Sequence, residues 1–202
     1  MALTPSTMML PLGTPLPRVS LPDFNPSTAL GASGRIVSSD DFRDAPALLV
    51  AFICRHCPFV THIRRGFAEF ARDVQPRGLA IVAINSNDID AFPEDGPAGM
   101  RAEAEEAGYI FPYLFDETQE VAKTFRAACT PDLYLFDRDR RLAYRGRFDE
   151  SRPRTNPPMP VTGRDIRTAV DAVLAGTPVP REQKGSIGCN IKWKPGNAPA
   201  YF

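Results

Sequence analysis

Cys54-Arg55-His56-Cys57 sets two thiols three positions apart, directly behind the apolar run Ala47 to Ile53 and directly ahead of Pro58, where a helical pattern begins. Thiols at this spacing suit reversible dithiol/disulfide chemistry, in which a thiolate is the attacking species. A sulfur at the start of a helix also meets the positive end of the helix dipole, which favours thiolate over thiol. C-x-x-C opens many structural zinc sites as well, but those draw four ligands from two close pairs. Cys129 and Cys189 are single and distant in sequence. The spacing therefore points to a redox pair, ahead of a metal half-site or an inert buried pair, and requires no metal or cofactor.

The elements that must position the pair follow from periodicity. Ala47 to Ile53 has the length and unbroken apolar character of a central parallel strand buried on both faces. Phe59, Ile63, Phe67 and Phe70 recur at helical spacing to about Gln75, with Gly78 closing the segment. Leu79 to Ile84 reads as a second buried strand, and Asn85 to Gly96 as a polar loop leaving its end. Helices are predicted over 98–107 and 118–126, with a short strand at 113–115 between them. Leu133 to Phe136 and Leu142 to Gly146 flank Asp137-Arg138-Asp139-Arg140 as an antiparallel hairpin. Thr162 is the expected cap of a last helix that Gly176 stops. Leu21 to Phe24 and Gly34 to Val37 suggest a short leading hairpin. This order predicts an α/β fold, a central mixed β-sheet flanked by helices. The fold spans 21–176, between an extended proline-rich arm lying on the surface (1–20) and a C-terminal tail (177–202) that docks on the domain.

With 202 residues and 43% hydrophobic content the chain can bury a full core. Its 24 basic and 24 acidic residues leave a formal net charge of +0, so nothing global draws it to nucleic acid or to an anionic membrane. Met1 to Pro17 has no basic leader, and its apolar Met8-Met9-Leu10 is cut short by Pro11, so neither signal peptide nor membrane span is expected and the location reads as cytoplasmic. In a reducing cytosol the four cysteines are not a stapling framework, and a disulfide there is transient and catalytic or sensory.

With C-x-x-C opening the first long helix and Cys129-Thr130-Pro131 opening the hairpin, the segment from about Leu21 to Ala175 resembles the thioredoxin fold. More narrowly, it resembles the redoxins grouped with AhpC/TSA and TlpA-type proteins. The resemblance implies a thiol-disulfide oxidoreductase acting on a disulfide- or dithiol-containing protein or a small thiol. It implies a cis bond before Pro131 facing the cysteine pair, and cis bonds are essentially confined to X-Pro. The Thr130 backbone would then take an extended substrate segment by strand addition, with Cys129 at the rim. Cys54, nearest the strand end and usually the more exposed, is given the attacking role, and Cys57 the resolving role. His56, placed as in the C-P-H-C pattern of DsbA-like proteins, and Arg55 would stabilise the Cys54 thiolate. The strand before Cys54 holds no acid to take the Cys57 proton, which leaves Asp132 and Asn85 as the nearest candidates.

Two other functions compete. A peroxiredoxin-like peroxidase would oxidise a thiolate to sulfenic acid, although Cys54 stands where the peroxiredoxin signature P-x-x-x-T-x-x-C has Thr. A non-enzymatic copper or zinc carrier would need ligands beyond His56 and His62, the two histidines of the chain. Cys189 lies in a tail with the sole Trp, Trp193, and is either buried and inert or docked at the substrate groove. His62, Arg64 and Arg65 read as the wet face of the helix, and the arginines between Arg138 and Arg154 as a solvated hairpin.

Overall fold

The computed structural model describes residues 3–6, 10–28 and 34–201. Its strands are β1 (Leu3–Pro5), β2 (Ser20–Asp23), β3 (Arg35–Ser38), β4 (Ala47–Phe52), β5 (Leu79–Asn85), β6 (Tyr113–Phe115), β7 (Cys129–Thr130), β8 (Asp132–Phe136), β9 (Leu142–Gly146) and β10 (Ile187–Asn190). The helices are α1 (Pro58–Val74), α2 (Pro97–Ala107), α3 (Glu120–Phe125) and α4 (Arg164–Leu174). Seven strands form the main sheet in the order β3-β2-β6-β5-β4-β8-β9. β4, β5 and β6 run parallel and the other pairings are antiparallel.

Every residue of β4 is buried, and strand pleating sends alternate side chains to opposite faces. Leu49, Ala51 and Ile53 join α1, α2 and α4 through Val60, Phe67, Met100, Ile166 and Val170. Leu48, Val50 and Phe52 join Phe125 of α3 and Leu10 and Val19 of the N-terminal arm. The fold is thus the mixed, helix-flanked α/β sheet of the thioredoxin type. Among the described residues no helix is long and apolar enough to cross a membrane.

Where the structure departs from the periodicity, the backbone gives the reason. Gln119 takes a left-handed conformation (φ 64°), so α3 starts after it rather than at Thr118. Gly163, not Thr162, is the residue at the N-cap of α4, and the Thr162 hydroxyl instead accepts from the Arg164 N–H at 3.2 Å. The arm does more than lie on the surface, because Ser6, Leu10 and Val19 are buried; its Met1, Ala2 and residues 7–9 lie outside the described residues. A second, three-stranded sheet of order β1-β10-β7 lies outside the elements that periodicity marks. It brings the two ends of the chain together over the edge that Cys129 and Thr130 form.

Candidate functional site

The end of β4 and the start of α1 fix the cysteines. Ile53 N–H bonds to Ile84 O at 3.0 Å, extending the β4–β5 pairing by one residue. Cys57 is the N-cap residue of α1, with Pro58 at the first helical position, where its missing N–H is no loss. Across from them the Thr130–Pro131 bond is cis. Thr130 touches both sulfurs: its Oγ1 is 3.3 Å from Cys54 Sγ, and its carbonyl accepts from the Cys57 thiol at 3.1 Å. The sequence-predicted Cys54, Cys57, Thr130 and Pro131 are therefore together. Among the described residues no cysteine is in a disulfide, and all four are buried.

Cys54 and Cys57 are both 0% exposed, so Cys54 is not the more accessible sulfur. The shifts of the two thiols run opposite to the expected assignment. Burial, then the neighbouring Cys57 and the Asp95 carboxylate, push the Cys54 thiol well up. Hydrogen bonds from Cys189 and then Cys54, with further ones from the Thr130 hydroxyl and the Val60 N–H, pull Cys57 down. Burial opposes this, and the directions of the two shifts favour the anion on Cys57 over Cys54.

His56 reaches Cys54 but is held chiefly by Asp95. Its Nδ1 is 3.9 Å from Cys54 Sγ but only 2.5 Å from Asp95 Oδ2, and its backbone N–H bonds to Asp95 Oδ1 at 3.1 Å. The hydrogen bond to Asp95 raises the imidazole pKa, and the carboxylate offsets its charge at the thiols. Phe92 stacks on the ring at 4.9 Å. Arg55 turns away to Glu106 (2.9 Å) and to the Gly99 carbonyl (3.4 Å), so it brings no charge to the pair.

Asp95 is the site residue that the sequence did not single out. It is fully buried, and Asn87 Nδ2 (2.8 Å) and Asn85 Nδ2, the latter on its carbonyl at 2.5 Å, hold it in place. Asn85 is thus a support for the loop and does not reach the thiols. Ser6 Oγ and the Tyr134 hydroxyl donate to Asp132 Oδ2 at 2.8 and 2.9 Å, and burial pushes the carboxyl up to about 6. Cys54, His56 and Asp95 present possible ligand atoms within 4.8 Å of one another, yet a metal ion there would have to replace the His56–Asp95 hydrogen bond.

The edge expected to receive a substrate strand is filled by the chain itself. β10 pairs antiparallel with β7, setting Cys189 opposite Thr130 and Asn190 opposite Cys129. Gln119 clasps the tail beyond it, donating to Lys192 O at 2.8 Å and accepting from Lys194 N–H at 2.9 Å. Cys189, buried and opposite the Thr130 whose carbonyl meets Cys57, is thus docked at the site rather than packed elsewhere. Nor is the face of α1 uniformly wet. Arg65 is 92% exposed on its side chain, but Arg64 pairs with buried Glu103 at 3.3 Å and His62 bonds to Ser151 at 3.0 Å. In the arginine run, Arg138, Arg141 and Arg154 are exposed as expected, while Arg140 holds the Phe42 and Ala45 carbonyls and Arg147 holds Asp165.

A mixed sheet with a C-x-x-C at the mouth of its first long helix and a facing cis proline defines a thioredoxin-like redoxin. Residues 12–145 match the AhpC/TSA family, and the chain belongs to it. It is similar to an uncharacterized conserved protein from Geobacillus kaustophilus, at 49% identity with a TM-score of 0.89 over 97% of this chain and 98% of that one. A hypothetical protein from Sinorhizobium meliloti 1021 is 51% identical with a TM-score of 0.86, over 93% of this chain and 97% of that one. A peroxidoxin from Mycobacterium tuberculosis shares the fold alone, at 15% identity and a TM-score of 0.58 over 82% of this chain and 96% of that one. No curated protein matches the chain.

Proposed function

We propose that the protein is a thiol-disulfide oxidoreductase in which Cys54 and Cys57 cycle between dithiol and disulfide. The observation that carries this reading is the contact of both sulfurs with Thr130, beside the cis Thr130–Pro131 bond at the N-terminus of α1. Cys57, as the resident thiolate, attacks one sulfur of a substrate disulfide and expels the other as thiolate. Cys54 then attacks Cys57 and releases the second substrate sulfur, its own proton going to a departing thiolate. The pair loses two electrons and the substrate disulfide gains them; the reverse sequence oxidises a dithiol. His56 and Asp95 fix the loop beside the pair. Cys129, Thr130 and Pro131 form the edge for an extended substrate once β10 withdraws, and a small thiol or disulfide needs less of that edge. Reduction of insulin and of oxidised glutathione by the pre-reduced protein tests the reading: turnover is expected from the wild type and its loss from Cys54→Ser and from Cys57→Ser. Unchanged turnover in either variant would overturn it.

The complete burial of both sulfurs supports a second reading, a peroxidase for a small oxidant. Cys57 would be oxidised to sulfenic acid with reduction of the peroxide, and Cys54 would displace water to form the disulfide. Hydrogen peroxide consumption that outpaces disulfide turnover would favour this second activity.

A further inference from the structure

Three cysteines converge on Thr130, not two. Cys54 comes from the loop of Cys57; Cys189 is brought by β10, whose register sets it opposite Thr130, the residue that touches both members of the pair. The approach is close enough to require glycine next door: a Cβ on Gly188 would lie 1.9 Å from Thr130 O. β10 also lies where the sequence placed an extended substrate, antiparallel to β7 at the edge beside Pro131. The chain therefore holds a cysteine-bearing strand of its own in the position of a substrate strand.

We propose that β10 is an internal substrate and Cys189 a third redox-active thiol, which exchanges with the Cys54–Cys57 disulfide to give a Cys57–Cys189 disulfide. In this step Cys189 sulfur attacks Cys57 sulfur, the new bond forms as the Cys54–Cys57 bond breaks, and Cys54 leaves as thiolate and takes up the proton that Cys189 gives up. No external oxidant or reductant enters, because two electrons stay within the three sulfurs. Formation of the bridge ties the tail over the Thr130 edge; its reduction frees the tail to leave that edge open. The proposal rests on the redox reading of Cys54 and Cys57.

The test is disulfide mapping of the full chain after mild oxidation by oxidised glutathione, acid quenching, alkylation and tryptic digestion. Cleavage after Arg55 and Arg64 separates Cys54 from Cys57, and Cys189 falls in the peptide ending at Lys192. The wild type is expected to yield Cys54–Cys57 together with Cys57–Cys189. Cys54→Ser should shift all bridged Cys57 to Cys189, and Cys189→Ser should lose that bridge and keep Cys54–Cys57. Cys54–Cys57 as the sole bridge of the wild type, with Cys57 in Cys54→Ser carrying glutathione while Cys189 remains a thiol, would overturn the role of Cys189 and leave the redox pair standing. The absence of any bridge to Cys57 in the wild type would overturn both.

Discussion

At the scale of residues, the chemistry turns on which sulfur holds the charge. Cys57 collects hydrogen bonds from Cys189, Cys54, the Thr130 hydroxyl and the Val60 N–H, while Cys54 faces the Asp95 carboxylate. Thiolate absorbance in the wild type is therefore expected to titrate well below the ~8.5 of an ordinary cysteine. Cys57→Ser should abolish that low-pH absorbance and Cys54→Ser should retain it; the opposite pattern would return the charge to Cys54. His56 and His62 give a second check, because Asp95 raises the first and burial lowers the second. Two imidazole resonances should titrate on opposite sides of ~6.5, and Asp95→Asn should bring the higher one down. A raised histidine pKa means that the folded state holds the proton more tightly than the unfolded chain. The stabilisation is full below ~6.5 and is lost as pH rises through the folded value. Denaturation midpoints should show that loss in the wild type and not in Asp95→Asn. The cysteines were legible because C-x-x-C follows directly on an apolar run of strand length and leads into a helical pattern. Asp95 was not, because it lies among Asp88, Asp90 and Glu94 in a loop where acids are ordinary.

At the scale of elements, the strands and helices around the pair could be read from periodicity, since β4 and α1 are patterned by burial. β7 and β10 could not. Cys129-Thr130 is two residues long, and Ile187–Asn190 mixes exposed and buried positions without an alternating pattern. Their pairing depends on a long-range contact that leaves little local trace. Gly188 is the residue that permits it, and Gly188→Ala is expected to unseat β10, since the obstacle is the backbone oxygen of Thr130 at 1.9 Å. The measurable result is faster alkylation of Cys57 in the native protein, with only a small change in far-UV circular dichroism because the seven-stranded main sheet does not include β10. Alkylation at the wild-type rate would mean that β10 is not what closes the site.

At the scale of the whole molecule, the α/β class was legible and the closure of the site was not. The side chains of β4, all buried but pointing alternately to its two faces, divide the core into two layers, and the helix-side layer is rich in aromatic contacts: Phe67 meets Phe70, Tyr109, Phe111 and Phe148. Phe67→Ala should cost about 3–5 kcal/mol, read as a lower denaturant midpoint, and a loss under ~1 kcal/mol would show that the layer closes over the gap. This packing holds α1 against β4 and so fixes the sulfurs at its mouth. The account's central claim is that these two sulfurs form a redox couple whose reduced state is stabilised by the Cys57 thiolate. Equilibration with glutathione buffers, with the Cys54–Cys57 bridge quantified by peptide mapping, tests it most directly. The account predicts a two-electron transition at a potential less negative than the ~−270 mV of thioredoxin, because stabilising the thiolate makes the disulfide more oxidising. A midpoint at or below that value, or a pair that stays reduced throughout, would contradict it.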